Sequence, residues 1–386
     1  MRVPLVDLKA QHETIAVDVM RKVGELVAAQ AFILGPSVAT FEATLARLTG
    51  APHAVGVASG SDALLLALRA AGIGPGDAVI TGAFGFVATP EAIVRAGAVP
   101  IFADVDGFLV TGRTIESVLE AMHPRPDGFR VDPASGAVVR GVLVSHLFGE
   151  CVGARDVVRI ARAPGREPLA IIEDAAQAIL ASDGGVLAGS QGDFAALSFF
   201  PSKNLGGWGD GGAVLGRDTV AMNRVRRLRQ HGIDAGRFVE VGMNSRLDAL
   251  QAVVLEVKAQ HLEAWTLRRE AIALRYRDAL RGLEGQLELP PAPRPGSRHV
   301  YHQFVVRTDR RDALARHLHD DGVETRAYYR QPLHREPCFA SLASCPVPLL
   351  HAEAAARTAF GLPIYPELAP AAQEHVVASI RRFFAL

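Results

Sequence analysis

The chain has 386 residues, of which 49% are hydrophobic and 21% charged, and its Lys plus Arg and Asp plus Glu counts are both 41. This composition is that of an ordinary globular protein and excludes a disordered one. The formal net charge of zero gives no electrostatic footprint for nucleic acid. The basic run at 224–229 is either a local basic patch or, as we expect, a solvated helix face. A chain of this length exceeds one small core, so we expect two domains.

The cysteines and the N-terminal residues bear on the cellular compartment. Cys151, Cys338 and Cys345 are scattered, with no metal-ligand spacing and no disulfide framework, so we predict no metal site and a reducing compartment. Residues 1–7 contain an acid and a proline where a signal peptide needs an apolar stretch, and no apolar run approaches membrane-spanning length. We therefore predict a cytoplasmic protein without membrane contact.

The first half of the chain alternates predicted strands and helices. The segment 54–58 is apolar like a strand and runs through a tight turn into a helical pattern at 63–71. Thr89 and Pro90 have the residue types of an N-cap and a first helical position. This alternation predicts an α/β fold whose central sheet is mostly parallel and has helices on both faces. The other predicted elements are helices at 10–29, 42–48 and 154–162 and strands at 78–81, 99–103, 142–145, 169–174 and 194–200.

The second half predicts a smaller α+β domain. The strand at 212–215 follows a loop too short for a crossover helix, so it should pair antiparallel. Residues 248–280 contain neither Gly nor Pro and predict one long helix that bridges two domains, which puts the boundary at about residue 250. We predict a large domain of residues 1–250 and a small one of residues 251–386. The later predicted elements are a proline-rich loop at 290–296, strands at 302–307 and 325–329, and helices at 311–320 and 371–384, the last following Pro370.

A lysine in a glycine-rich loop is the first candidate for chemistry. Lys203 follows the apolar run 194–200 and precedes Gly206 and Gly207. An amine flanked by apolar residues can lose its proton, which an imine-forming nucleophile needs. The alternative is a solvated loop lysine, and this stretch alone does not decide between the two.

Two further features of the sequence support a chemical role for that lysine. The strand at 169–174 ends in Glu173 and Asp174, at the carboxyl edge where α/β folds bind ligands. The turn at 59–62 leads from a strand into a helix N-terminus, which can bind an anion. An anion cradle, an acid at a strand end and a lysine are the three contacts that a protein makes with pyridoxal phosphate.

With these features the sequence resembles a known family, the DegT/DnrJ/EryC1/StrS family of pyridoxal-phosphate-dependent sugar aminotransferases of fold type I. The resemblance covers nearly the whole chain, and it is the order of its motifs that is specific. These motifs are residues 3–8, 35–36, 41–42, 59–64, 173–178, 198–212, 244–248 and 362–366.

The resemblance implies roles around the cofactor ring. Lys203 would form the Schiff base and act as the catalytic base, and Asp174 would face the pyridine nitrogen instead of capping a helix. Gln177 matches a residue near the phenolic oxygen. Phe86 matches the aromatic residue that stacks on the ring; the alternative is that Phe84 and Phe86 fill the core side by side. Glu173 points to the opposite face of its strand and is expected to be structural.

The resemblance also implies a phosphate site and a homodimer with shared active sites. Gly60 and Ser61 would cradle the phosphate, although the family usually has threonine where Ser61 stands, and Ser198 matches a further phosphate ligand. Asn244 matches a residue that binds the cofactor phosphate of the neighbouring subunit. Arg246 would read an anionic group or form a plain salt bridge.

The function that this resemblance implies is transamination. An amino-acid donor, expected to be L-glutamate, would supply the amino group, and a keto group of a nucleotide-linked deoxysugar would receive it. The segment 203–212 resembles the subgroup that acts on 3-keto sugars; the 4-keto subgroup is the alternative. Trp208 and Tyr329 are candidates for the sugar side of the pocket.

Two rivals lack support in these residues. The family's dehydrase branch has histidine in place of the lysine, and Lys203 argues against it. A non-catalytic sensor of nucleotide sugars would be marked by loss of Lys203 or Asp174, and both are present. His146, His231 and His334 have no metal-ligand spacing and are expected to be core or surface histidines.

Overall fold

The computed structural model describes residues 1–385, in which helices surround one large sheet and a smaller one. The helices are α1 Leu8–Glu13, α2 Ala16–Ala29, α3 Gly35–Thr49, α4 Gly60–Ala70, α5 Ala88–Arg95, α6 Gly112–Glu120, α7 Ala154–Ala161, α8 Thr219–Leu228, α9 Ala249–Ala259, α10 Leu262–Ala279, α11 Arg311–Asp320, α12 Leu350–Thr358 and α13 Pro370–Ala385. Short 3₁₀ turns lie at Leu147–Gly149, Leu333–Arg335 and Pro337–Phe339.

The strands are β1 His53–Val57, β2 Asp77–Gly82, β3 Val99–Ala103, β4 His123–Pro124, β5 Arg130–Val131, β6 Val138–Ser145, β7 Ala170–Asp174, β8 Ser182–Asp183, β9 Val186–Leu187, β10 Phe194–Ser198, β11 Gly212–Gly216, β12 Ile233–Asp234, β13 Arg237–Phe238, β14 Phe304–Arg307 and β15 Ala359–Leu362. The large sheet has the order β1-β11-β10-β7-β6-β2-β3, with β5 and β4 added beside β6.

The predicted mostly parallel α/β sheet is confirmed. The neighbours β10, β7, β6, β2 and β3 all pair in parallel, whereas β11 lies antiparallel between β1 and β10. The central strands are apolar and buried, as strands covered by helices on both faces must be. Because the parallel strands end at the same edge, the residues after β6, β7 and β10 are brought together there.

A second hydrophobic cluster forms around the two-stranded sheet of β14 and β15, with α10, α11 and α13 against it. The N-terminus joins this cluster, because Val3 is fully buried and forms a bridge with Val323. The division into residues 1–250 and 251–386 stays a prediction. None of the helices described within residues 1–385 is long and apolar enough to cross a membrane.

Several predicted elements are wrong. The helix predicted at 10–29 is two helices, α1 and α2, with residues 14 and 15 between them. The long helix at 248–280 is two helices, because the hydrogen bonds tighten to i→i+3 where Gln260 N–H and His261 N–H donate to Val257 and Lys258, and neither Gly nor Pro marks the break. The segment 325–329 makes only an isolated bridge to Gly361 and is no strand. The last error, the assignment of Thr89 as a helix cap, concerns the site and is described below.

Candidate active site

Asp174, the last residue of β7, is held by three donors at the carboxyl edge of the sheet. Its Oδ2 accepts hydrogen bonds from Thr89 Oγ1 at 2.8 Å and from Ser145 Oγ at 3.4 Å, and its Oδ1 accepts one from the Ala176 amide at 3.1 Å. Two of these donors belong to α5 and β6 and the third to the turn directly after Asp174, so the carboxylate is held in one orientation. Such a fixed carboxylate suits a partner that is itself a hydrogen-bond donor.

Thr89 is therefore not the N-cap that the sequence predicts. Helix α5 begins two residues earlier than predicted, at Ala88, with Val87 as its N-cap residue. The Thr89 side chain is buried, and its hydroxyl is used on Asp174, which lies 85 positions along the chain. A threonine followed by proline has the residue types of a helix cap. Only the order of strands in the sheet reveals that the Thr89 hydroxyl bonds to Asp174 instead.

Lys203 lies in the loop between β10 and β11, close enough to Asp174 for their charges to interact. Its amide donates to Phe200 O at 2.8 Å, and the Gly207 amide donates to Phe199 O at 2.8 Å, so the loop folds back on itself. Burial lowers the pKa of the Lys203 amine to about 8, although the negative charge of Asp174 acts to raise it. The amine is thus far more often unprotonated near neutral pH than an ordinary lysine.

The N-terminus of α4 forms the predicted anion cradle beside the end of β10. Ser59 caps the helix by accepting the Asp62 amide at 3.1 Å, and the free N–H groups of the first turn begin at Gly60 and Ser61. A Cβ on Gly60 would lie 2.7 Å from the Cβ of Ser198, so only glycine allows the helix to approach the strand this closely. Gly60, Ser61 and Ser198 are thus brought to one place, and their roles as phosphate ligands stay predictions.

The predicted ring contacts, Gln177 and Phe86, both border Tyr329. Gln177 Oε1 accepts the Phe148 amide at 2.6 Å, and its Nε2 donates to Tyr329 Oη at 3.2 Å. The Phe86 and Tyr329 ring centroids are 6.3 Å apart. Phe84 is buried whereas Phe86 is 52% exposed, so the two phenylalanines do not fill the core side by side. The Phe86 ring is available for stacking, and its role stays a prediction.

Asn244 and Arg246 flank Ser245, whose hydroxyl accepts from the Ala58 amide at 3.3 Å and donates to Asp62 at 2.8 Å. Asn244 is exposed and forms a bridge with Gln230 at the base of the β12–β13 hairpin. Arg246 has a buried Nε with no hydrogen-bond partner among residues 1–385. Their predicted roles in the site of a neighbouring subunit stay predictions.

Glu173 is structural in its contacts, as its strand position predicts. Its carboxylate accepts hydrogen bonds from His146 Nε2 and from the amides of Gly189, Gln191 and Gly192, all at 2.8 Å. The Val152 amide donates to His146 Nδ1, so the hydrogen of His146 is on Nε2. Although burial raises the pKa of Glu173, these hydrogen bonds lower it below its ordinary value. The buried pair fixes the strand from which Asp174 extends.

Comparison with known proteins decides the family. The model of the DegT/DnrJ/EryC1/StrS aminotransferase family matches residues 13–381. The chain belongs to this family. The resemblance, the fold-type I class and the aminotransferase activity predicted from sequence are thereby confirmed.

Two relatives cover essentially the full chain. A protein of Geobacillus stearothermophilus named "Pleiotropic regulatory protein" is 40% identical over 100% of this chain and 99% of its own. The UDP-N-acetyl-3-dehydro-alpha-D-glucosamine 3-aminotransferase of Acidithiobacillus ferrooxidans is 39% identical over 98% of this chain and 97% of its own.

Two solved structures share the fold. DesV of S. venezuelae, solved in complex with a ketimine intermediate, has a TM-score of 0.90 and 36% identity over 99% of this chain and 98% of its own. NtdA of Bacillus subtilis, solved with bound cofactor PMP, has a TM-score of 0.87 and 27% identity over 100% of this chain and 86% of its own. The family depends on pyridoxal phosphate, and this aminotransferase has that cofactor.

The residues at the sheet edge fit pyridoxal phosphate. The close approach of Gly60 to Ser198 puts a serine hydroxyl beside the N-terminus of α4, where a phosphate can bind, and the amine of Lys203 has the lowered pKa that imine formation needs. The Asp174 carboxylate, oriented by two hydroxyl groups, can accept a hydrogen from a ring nitrogen. Sequence reasoning missed Thr89 and Ser145, although Ser145 is the direct neighbour of Asp174 in the β6–β7 register.

Proposed function

We propose that this aminotransferase moves an amino group from an amino acid, L-glutamate, to the C3 keto group of a nucleotide-linked sugar. The observation that carries the proposal is the juxtaposition of Lys203, whose amine has a pKa of about 8, with the hydroxyl-held Asp174. Pyridoxal phosphate bound there supplies an electron sink for the carbon that loses its proton.

Each of the predicted site residues has a defined task in this proposal. Lys203 Nζ would hold the cofactor covalently. Once released, the same amine would take the proton from the donor carbon and deliver a proton to the sugar carbon that receives the amino group. The Asp174 carboxylate accepts the hydrogen of the ring nitrogen and keeps that nitrogen protonated. The N–H groups of Gly60 and Ser61 and the hydroxyl of Ser198 hold the phosphate. Phe86 lies against the ring, and Gln177 borders its phenolic oxygen.

The choice of a 3-keto sugar rests on the relatives and on the lysine loop. The Acidithiobacillus enzyme is named for a 3-dehydro sugar nucleotide and for its 3-aminotransferase activity. A further relative, from Streptomyces venezuelae, is named dTDP-3-amino-3,4,6-trideoxy-alpha-D-glucose transaminase and is 38% identical over 99% of this chain. Both names support C3 over C4, and they differ in the nucleotide.

We also propose that the protein acts in the cytoplasm as a homodimer in which Asn244 binds the phosphate in the neighbouring subunit's site. The support is the exposed Asn244, the Nε of Arg246, which has no hydrogen-bond partner within residues 1–385, and the exposed Phe238 and Val241 on the adjacent hairpin segment. Apolar side chains exposed beside a site are typical of a protein–protein contact.

A regulatory role is a second candidate, because the relative with 40% identity carries the name of a regulatory protein. A sensor that merely binds a nucleotide sugar has no need for a lysine of lowered pKa next to a fixed carboxylate. One assay distinguishes the two candidate functions. An aminotransferase loaded with pyridoxal phosphate should lose its visible absorbance band when L-glutamate is added, whereas a sensor should keep an unchanged spectrum.

The substrate is best tested in reverse, with purified enzyme, 2-oxoglutarate and a panel of nucleotide aminosugars. The panel should contain 3-amino and 4-amino sugars on both UDP and dTDP. We expect glutamate to form only with 3-amino sugars. Glutamate formation with 4-amino sugars alone would contradict the proposed position of amination.

A further inference from the structure

The loop that carries Lys203 is attached to the C-terminal part of the chain through its next residue. Asn204 is buried, and its Nδ2 donates to the Val300 carbonyl at 3.2 Å. The other end of the same amide, Oδ1, lies 3.1 Å from Nδ1 of His302. Since the amide oxygen can only accept, His302 must carry its hydrogen on Nδ1 and donate it to Asn204.

His302 is itself held in place. The side chain is buried, and the guanidinium of the buried Arg269 donates to the carbonyls of Tyr301, His302 and Ile364 at distances from 2.9 to 3.3 Å. Burial and the positive charges of Lys203 and Arg269 lower the pKa of the His302 imidazole well below its ordinary value. The ring is therefore neutral, and one tautomer is fixed by its contacts.

Two further contacts of the loop are with α9: the Trp208 amide donates to Gln251 Oε1 at 2.8 Å, and the second involves Gly206. Lys258, which is buried on α9, donates to the Gly206 carbonyl at 2.7 Å. The loop is thus anchored on one side by α9 and on the other by the segment before β14. The Lys203 amide donates within the loop, to Phe200 O, whereas the Asn204 contact ties the neighbouring residue to the C-terminal part of the chain, so its loss should loosen the backbone from which the lysine side chain extends.

We propose that His302 is a positioning residue for Lys203: as the Nδ1–H tautomer, it holds Asn204 and thereby fixes the lysine backbone against the cofactor site. The inference rests on the proposed function of Lys203 as the cofactor-binding lysine. His302 acts through Asn204 and needs no contact with the substrate.

The test compares three variants in the full-length protein. His302→Ala removes the donor. In His302→Asn, the side-chain amide can occupy the position of Nδ1–H and donate to Asn204. His299→Ala is the matched control, because His299 is also buried, and its Nδ1 accepts from the Tyr301 amide without contacting the lysine loop. If His302→Ala does not fold, His302→Gln replaces it, since its longer amide reaches the Nε2 position instead.

Two quantities are measured. One is the equilibrium constant for covalent attachment of pyridoxal phosphate, obtained from the visible absorbance band. The other is the rate at which Lys203 is acetylated in cofactor-free protein, read by peptide mass spectrometry. One lost buried hydrogen bond predicts an attachment constant lower by about 5- to 10-fold in His302→Ala. It also predicts that Lys203 is acetylated at a different rate in His302→Ala than in wild type. Both quantities should be near their wild-type values in His302→Asn and unchanged in His299→Ala.

Equal attachment in His302→Ala and wild type, or equal losses in His302→Ala, His302→Asn and His299→Ala, would overturn the proposal. The wild type provides the separate check on the function. If borohydride reduction of the wild type fails to label Lys203, the proposed function fails. If Lys203 is labelled but His302→Ala behaves like wild type, only the positioning role fails.

Discussion

The hydroxyl of Thr89 donates to the carboxylate of Asp174 across 2.8 Å, from the first turn of α5 to the end of β7. This contact fixes which way the acid points. Thr89 therefore supports the acid that we propose to face the cofactor's ring nitrogen, although the two residues are 85 positions apart in sequence.

Replacing Thr89 by valine keeps the shape of the side chain and removes the donor. A hydrogen bond to a charged group contributes about 1.5–3 kcal/mol, so cofactor affinity should fall about tenfold or more. Absorbance titration with pyridoxal phosphate measures this loss. Thr89→Ser keeps the hydroxyl and should bind the cofactor like wild type; an equal loss in both variants would show that the methyl group matters and not the hydrogen bond.

The reactivity of Lys203 should depend on pH with a midpoint of about 8 in cofactor-free enzyme. Only the unprotonated amine reacts, and burial lowers its pKa, so reactivity rises through this pH range and is constant above it. Asp174 acts to raise this pKa, so Asp174→Asn should move the midpoint lower. Competitive acetylation read by peptide mass spectrometry, with the exposed Lys9 as internal reference, measures the midpoint. A midpoint that moves upward in Asp174→Asn would contradict the geometry.

Gly60→Ala tests the phosphate cradle. The added Cβ would lie 2.7 Å from Ser198 Cβ and 3.3 Å from Ser198 Cα, so the end of β10 must move. Overpacking of this kind costs about 1–3 kcal/mol, and affinity for pyridoxal phosphate should fall about tenfold. Binding of pyridoxal, which lacks the phosphate, should fall much less. Gly24→Ala is the control, because a Cβ there meets open space. If Gly60→Ala lost affinity for pyridoxal phosphate and for pyridoxal equally, the result would argue against a phosphate cradle at Gly60.

Subunit complementation tests the shared site. Lys203→Ala and Asn244→Ala should each be nearly inactive alone. In a mixed dimer, one site would combine the intact Lys203 of one subunit with the intact Asn244 of the other, so random mixing should restore about a quarter of wild-type activity. Mixing at equal amounts after mild dissociation, followed by the transamination assay, measures this. No recovery, despite mixed dimers seen by mass spectrometry, would place both residues in the same subunit's site.

The strand pattern and the motif order were enough to predict the sheet, the antiparallel β11 and the neighbourhood of Lys203 and Asp174. These depend on local apolar runs and on the rule that parallel strands end at one edge. Contacts between side chains far apart in sequence were not predictable. The sequence predicts Thr89 as a helix cap because a cap needs only local residues, whereas its true partner is set by the strand order.

The break in the long helix was missed for a related reason. No Gly or Pro marks residues 260 and 261, and the difference between α9 and α10 lies in their surroundings. Helix α9 is buried over most of its length, whereas α10 has an exposed side. The Asn204–His302 contact likewise joins residues 98 positions apart and follows only from the assembled fold.

The central claim is that Lys203 carries the cofactor with its ring nitrogen against Asp174. Reduction of the holoenzyme with borohydride, followed by proteolysis and peptide mass mapping, tests this claim most directly. We predict a single pyridoxyl tag on the peptide that contains Lys203, and no tag in Lys203→Ala. A tag on a different lysine, or a wild-type protein without any tag, would contradict the account.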